Sequence, residues 1–268
     1  MWKWETDKEP KGVIVVVHDM LEHHDYYTEL IFQFRRRGYH VVTGDLPGHG
    51  QTTRLNKGHI NSFESYTDRI VDWNETAAEY NLPIYFFGQG LGGLVILEAV
   101  RLKQIHPDGL ILINPMLALR QSFINRKNTI RTSFRATSDE SRFDPGIKLN
   151  YFTNDPFYLE KYENDELMIE KVSYQWYRVV TNQMKKTSDN IENTQGVPML
   201  GLFSTKNEII EPFMSSKSLK NMRSQYVEVH MLEQENHSIL QQENVELPMY
   251  LIDKFLTTRL YSIGVMID

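Results

Sequence analysis

Apolar residues along this chain fall into two kinds of block, unbroken runs and helical spacings, and the two kinds alternate. Val13-Ile14-Val15-Val16-Val17 is a continuous β-branched run, the pattern of a strand buried on both faces. From near His24 the apolar residues Tyr27, Leu30, Ile31 and Phe34 share one helical face, and Arg35-Arg36-Arg37 with Gly38 close that helix. Cations suit the last carbonyls of a helix, and glycine suits the residue beyond them. Tyr39 to Thr43 reads as the next strand. Phe63, Tyr66, Ile70, Trp73 and Ala77 place a helix within 61–80, with Phe63 and Trp73 in the core. Ile84 to Phe87 is a strand ended by Gly88, Leu91 to Leu102 a helix, and Leu110 to Ile113 a strand. Such alternation predicts an α/β domain whose mostly parallel sheet carries helices on both faces.

After Pro115 the alternation lapses. Leu117 to about Lys186 is polar and irregular, with helices expected at Tyr158 to Glu163 and Ile169 to Met184 and no buried-strand run. We read 117–186 as a helical cap inserted over one end of the sheet, and 1–116 with 187–268 as the core domain. Alternation resumes with a strand at Pro198 to Phe203, a helix at Pro212 to Asn221, a strand at Tyr226 to Leu232 and a closing helix at Val245 to Leu260.

Composition narrows the chemistry. The 268 residues are 41% hydrophobic, enough for a large core, and the net charge of −6 offers no basic surplus to neutralise phosphates, so nucleic acid is not an expected partner. With no cysteine, thiolate catalysis, thiolate metal sites and disulfides are excluded. Met1 to Pro10 holds five charged residues and no apolar stretch, unlike a secretory signal, and no run approaches the roughly 18 to 20 apolar residues of a membrane span. A cytoplasmic protein is expected. The only membrane contact considered is a weak one between Arg35 to Arg37 and anionic headgroups.

The informative segment is Gly88-Gln89-Gly90-Leu91-Gly92-Gly93, set between a strand and a helix. A G-x-S-x-G turn in that position projects a serine hydroxyl from the top of a sheet. Both flanking glycines are present, and the residue between them, Gly90, has no side chain. Val17-His18-Asp19-Met20-Leu21-Glu22-His23 resembles a V-H-G-x-x-E-H oxyanion loop, and Asp45-Leu46-Pro47-Gly48-His49-Gly50 resembles a D-x-x-G-H-G loop. Together with Asp155-Pro156 and the stretch Lys171 to Tyr177, these motifs resemble the lysophospholipase and monoacylglycerol lipase family of α/β-hydrolases, also classed as serine aminopeptidase-like. The resemblance runs over nearly the whole chain.

That resemblance assigns the remaining positions. The triad acid falls on Asn207 and the base on His237, while the oxyanion hole falls on the backbone N–H groups of Met20 and Leu91. Asp19 stands where the family has glycine, beside that hole, where its charge would repel an oxyanion and its side chain would burden a backbone position suited to glycine. Replacing a triad aspartate by asparagine costs about 10⁴ in turnover, and losing the nucleophile costs on the order of 10⁶. Glu208 stands one residue past the acid position, a shift that turns a side chain elsewhere. Ser238 is adjacent to His237, and Glu211 and Asn114 are weaker substitutes. His49 reads as a structural loop residue. His18, Asp19, Glu22, His23, His24 and Asp25 crowd one loop, but their spacing fits no standard zinc motif, so neither metal nor cofactor is expected. The cap aromatics Tyr158, Tyr162, Tyr174, Trp176 and Tyr177 have two readings, an acyl pocket or packing of the cap.

These residues imply a catalytically impaired member of the lineage that binds a small apolar or acyl ligand, or a protein partner, under its cap. The alternative is an active hydrolase of monoacylglycerols or lysophospholipids whose nucleophile has been replaced. Proton-transfer or lyase chemistry by Asp19 and His237 would require both side chains to face one cavity.

Overall fold

A computed structural model describes residues 1–52, 56–120, 140–194, 196–224, 226–234 and 236–264. In chain order its elements are β1 (Trp2–Trp4), β2 (Gly12–Val17), α1 (Thr28–Arg36), β3 (Tyr39–Thr43), α2 (Glu64–Ala78), β4 (Ile84–Gln89), α3 (Gly90–Arg101) and β5 (Gly109–Ile113). There follow β6 (Arg142–Phe143), α4 (Leu149–Phe152), α5 (Pro156–Glu163), β7 (Val172–Ser173), α6 (Tyr174–Asp189), β8 (Met199–Ser204), α7 (Pro212–Lys220), β9 (Val227–Leu232) and α8 (Glu246–Ser262). Seven strands form one sheet in the order β1-β3-β2-β4-β5-β8-β9, parallel throughout except where β1 runs antiparallel to β3.

The continuous apolar runs are the central strands. Every residue of β2, β3, β5 and β8 is buried, as two covered faces require, whereas β9 at the sheet edge is mostly half-buried. Helices α2 and α3 pack side by side and each reaches β2 and β4, while α1 lies on β3 and α8 on β5 and β8. Arg35 donates to the Glu5 carbonyl and Arg37 pairs with Asp253 of α8, so two of the three consecutive arginines are engaged within the fold rather than solvated.

Three expectations differ from the structure. Strand β1 was not anticipated: Trp2 and Trp4 are half-buried about an exposed Lys3, an alternation too short to register. The helix expected from His24 begins as a 3-10 turn at His24–Tyr27, with the His24 N–H and Nδ1 both on Asp45 Oδ1, and turns α-helical only at Thr28. The helix expected from Ile169 begins at Tyr174, because Val172–Ser173 pairs with Arg142–Phe143 and the Ser173 hydroxyl caps α6 by accepting from the Trp176 N–H.

Of the segment read as a cap, residues 121–139 lie outside the described residues. The described part seats on the core through backbone bonds from Ile169 N–H to the Leu21 carbonyl and from Ser173 N–H to the Gly58 carbonyl. Leu21 adopts φ +66, a left-handed conformation unusual for leucine. No described helix is long and apolar enough to cross a membrane.

Candidate active site

The loops that follow β2, β4, β8 and β9 meet at the carboxyl end of the sheet, the usual place for a site in a parallel α/β fold. Strand β4 ends at Gln89 and α3 starts at once with Gly90, whose φ of +46 makes the sharp turn. Gly92 lets α3 approach the sheet: a Cβ there would lie 2.3 Å from the Val17 carbonyl oxygen. The elbow is thus formed in full, and its central residue projects nothing.

Asp19 fills that place from the neighbouring loop. A Cβ on Gly90 would sit 1.9 Å from Asp19 Oδ1 and 2.3 Å from its Cγ, so the carboxylate occupies the volume of a residue-90 side chain. Oδ1 accepts from the Met20 N–H at 2.6 Å and the Leu91 N–H at 2.7 Å, the two donors assigned to the oxyanion hole. Donors aimed at a developing oxyanion stand about 2.7–3.1 Å from it. One carboxylate oxygen therefore lies on the two N–H groups that the family resemblance assigns to an oxyanion. Oδ2 lies 2.8 Å from His237 Nε2, where a serine hydroxyl would meet the base, although the N–H direction is poorly aligned for a hydrogen bond.

The expectation for Asp19 is corrected in two respects. Its side chain accepts from the Met20 and Leu91 N–H groups rather than standing beside them, and its backbone is not in the left-handed region that favours glycine. Burial pushes the Asp19 carboxyl up, but His237 and the N–H groups of Leu91 and Met20 outweigh that and hold it below its ordinary value. Asp19 and His237 are both fully buried.

On the other side of the imidazole, Asn207 is also fully buried. Its Oδ1 accepts from the Ile209 and Ile210 N–H groups at 2.9 and 3.0 Å, which turns Nδ2 toward His237 Nδ1 at 2.9 Å. His237 Nδ1 lies 3.2 Å from Asn207 Oδ1 as well, so the carboxamide meets the ring with either of its atoms and brings no charge to it. Glu208 is exposed and takes no part. Asn114 supports the loop by donating to the His237 carbonyl, Glu211 faces Arg120, and Ser238 Oγ accepts from Gln89 rather than approaching His237.

His18 and His49 are structural. His18 Nε2 accepts from the Leu46 N–H, and burial pushes the ring down to about 4; burial likewise pushes His49 down to about 3. Glu22, named in the sequence only as part of the oxyanion-loop motif and the crowded polar loop, is fully buried. Tyr27 donates to its Oε2 at 2.8 Å, and Tyr162 from the cap lies against its Oε1 and against Gln241 Oε1. Three oxygens there share one phenolic proton, and a proton on Glu22 supplies the second. In agreement, burial and then the Asp19 charge push the Glu22 carboxyl up to about 8.

A cavity of about 410 Å³ lies between Leu21 and residues 144–171, with Ile147, Leu149, Tyr162, Met168 and Ile169 in its lining beside the charged Asp144, Glu163, Asp165, Glu170 and Lys171. Neither Asp19 nor His237 lines it. The two readings of the cap aromatics divide accordingly. Tyr162 lines the cavity, whereas Trp176 is packing, its indole N–H donating to the Tyr66 hydroxyl.

Known proteins resemble this chain in sequence and in fold. Phospholipase YtpA of Bacillus subtilis is 33% identical over 226 residues, covering 84% of this chain and 86% of its own. The monoacylglycerol lipase of Paleococcus ferrophilus superposes with a TM-score of 0.84 at 22% identity, covering 96% of this chain and 98% of its own. A soluble variant of monoglyceride lipase from Saccharomyces cerevisiae superposes with a TM-score of 0.86 at 18% identity, covering 96% and 90%. Both superpositions establish the α/β-hydrolase fold. Residues 8–244 match the Hydrolase_4 family, described as serine aminopeptidase, S33, and the chain belongs to that family of lipase-like α/β-hydrolases.

Proposed function

We propose that this chain is a non-hydrolytic member of the lineage, which holds a small apolar or acyl ligand under its cap and does not cleave it. The observation that carries the reading is the Asp19 carboxylate, seated on the Met20 and Leu91 N–H groups in the space above Gly90. It takes up the donors that would stabilise a tetrahedral intermediate and places a fixed negative charge where another would have to form. Gly90 supplies no nucleophile, and Asn207 offers the imidazole a neutral amide in place of a carboxylate. The cavity of about 410 Å³ falls within the size range of small-molecule sites, about 300–1,000 Å³, and Leu21, Ile147, Leu149, Met168 and Ile169 would face the apolar part of a ligand while its charged lining meets a polar end.

The alternative of an active hydrolase with a replaced nucleophile meets a steric objection. A serine at position 90 would place its Cβ 1.9 Å from Asp19 Oδ1, so the serine and the present Asp19 conformation exclude one another. Chemistry by the Asp19–His237 pair lacks the open cavity it would need, since both groups are fully buried and neither borders the cavity described above. Two measurements on the native chain test the proposal. A fluorophosphonate probe should leave it unlabelled, and a monoacylglycerol or lysophospholipid should bind saturably in calorimetry and at least tenfold more weakly to Ile147→Glu, a half-buried lining residue. Covalent labelling that disappears in His237→Ala would refute the non-hydrolytic reading, and absence of saturable binding would refute the ligand.

A further inference from the structure

A second cluster on the loop after β2 lies outside the Asp19–His237 machinery. His23, His24 and Asp25 each bring one donor atom to a common point, and these atoms all lie within 4.8 Å of one another. His24 Nε2 is 3.0 Å from Asp25 Oδ1, and His23 Nδ1 is 3.8 Å from Asp25 Oδ2. The far nitrogen of each ring is already committed to a carboxylate. His23 Nε2 is 2.6 Å from Asp165 Oδ2, and His24 Nδ1 is 2.8 Å from Asp45 Oδ1.

An ionised carboxylate only accepts, so each ring places its proton on that far nitrogen. The near nitrogens, His23 Nδ1 and His24 Nε2, are left facing the Asp25 carboxylate. His23 Nδ1 has no hydrogen-bond partner although its side chain is only 3% exposed, and a buried polar atom left in that condition costs free energy. Three converging ligand atoms, two of them on imidazoles oriented from behind by carboxylates, form an arrangement suited to a metal ion.

We propose that His23 Nδ1, His24 Nε2 and the Asp25 carboxylate form a binding site for a borderline divalent cation, zinc foremost. Two nitrogens and one carboxylate oxygen suit zinc and its first-row neighbours rather than calcium or magnesium, which take oxygen shells. Bonds of about 2.0–2.2 Å require the donors to draw together, and Asp25, half-exposed, is free to move. Its exposed side leaves the remaining position to water. Lys161, whose ammonium donates to the Asp25 carbonyl at 2.6 Å, is a cation at the site and is outweighed by the carboxylates of Asp25, Asp45 and Asp165. A bound ion would link the β2 loop to the end of β3 through Asp45 and to the cap through Asp165. The sequence expectation of no metal rested on spacing, and adjacent histidines meet here because the 3-10 turn fans them around one point.

The test is zinc titration of the EDTA-stripped full chain by calorimetry, beside Asp25→Ala and His24→Gln. One zinc per chain is expected, at least tenfold weaker in Asp25→Ala, with a zinc-dependent rise in Tm confined to the native chain. Asp25 is half-exposed, so its variant should fold and carries the test even if His24→Gln does not. No saturable binding at 100-fold molar excess of zinc, or equal affinity in the native chain and Asp25→Ala, would overturn the proposal.

Discussion

The base side and the nucleophile side of the site hold their polar groups in different ways. On the base side, Asn207 and Asn114 fix His237 and its loop with hydrogen bonds of 2.7–3.0 Å, an arrangement that could serve an enzyme with one amide changed to a carboxylate. On the nucleophile side the elbow and both backbone donors persist, but a carboxylate from another loop occupies them. The strand-to-helix turn is kept at Gly90 without a side chain, and the Asp19 carboxylate fills the volume that a residue-90 side chain would take. Backbone donors of this kind need a partner once water is excluded, and Asp19 gives them one.

The contrast is broken most severely by Asp19→Ala. That variant strands two buried N–H groups and His237 Nε2, and should lose about 3–5 kcal/mol in urea denaturation, the cost of removing one partner of a buried charged pair. A loss below 1 kcal/mol would mean that the hole tolerates being empty.

Glu22 sharpens the comparison through pH. Its folded pKa of about 8 lies above the ordinary 4.5, so the folded state holds the proton more tightly. The stabilisation is fully present below pH 4.5 and lost as pH rises toward 8, with a slope of at most about 1.4 kcal/mol per pH unit. Glu22→Gln should flatten that slope in denaturation curves between pH 5 and 8, and an unchanged slope would place the titration elsewhere. Lys3→Ala, which removes an exposed pair with Glu79, should change stability by less than about 0.5 kcal/mol in the same assay. A larger loss would blur the distinction between buried and surface charge on which the comparison rests.

Much of this was legible in the sequence. The unbroken runs at Val13 to Val17 and Leu110 to Ile113 could only be strands covered on both faces, and the elbow glycines with the two flanking loop motifs identified the family. The positions of Gly90, Asn207 and His237 followed from motif order. What Asp19 does there did not follow, because a side chain's direction depends on φ/ψ and on which donors stand near it in space. Spacing alone suggested repulsion next to the hole, whereas the fold turns the same charge into the hole's occupant. Nor did sequence place Glu22 against Tyr162, 140 residues away, or His23 against Asp165. Contacts between cap and core are set by how two segments dock, and no local pattern encodes them.

The most direct measurement is the initial rate of p-nitrophenyl butyrate hydrolysis by the native chain, Gly90→Ser, Asp19→Gly/Gly90→Ser and the triple variant that adds Asn207→Asp. Background rates are expected for the native chain and for Gly90→Ser, with measurable turnover first in the double variant and a rise of up to about 10⁴ in the triple. Turnover by the native chain, or Gly90→Ser alone matching the triple variant, would contradict a carboxylate that occupies the hole and bars the nucleophile.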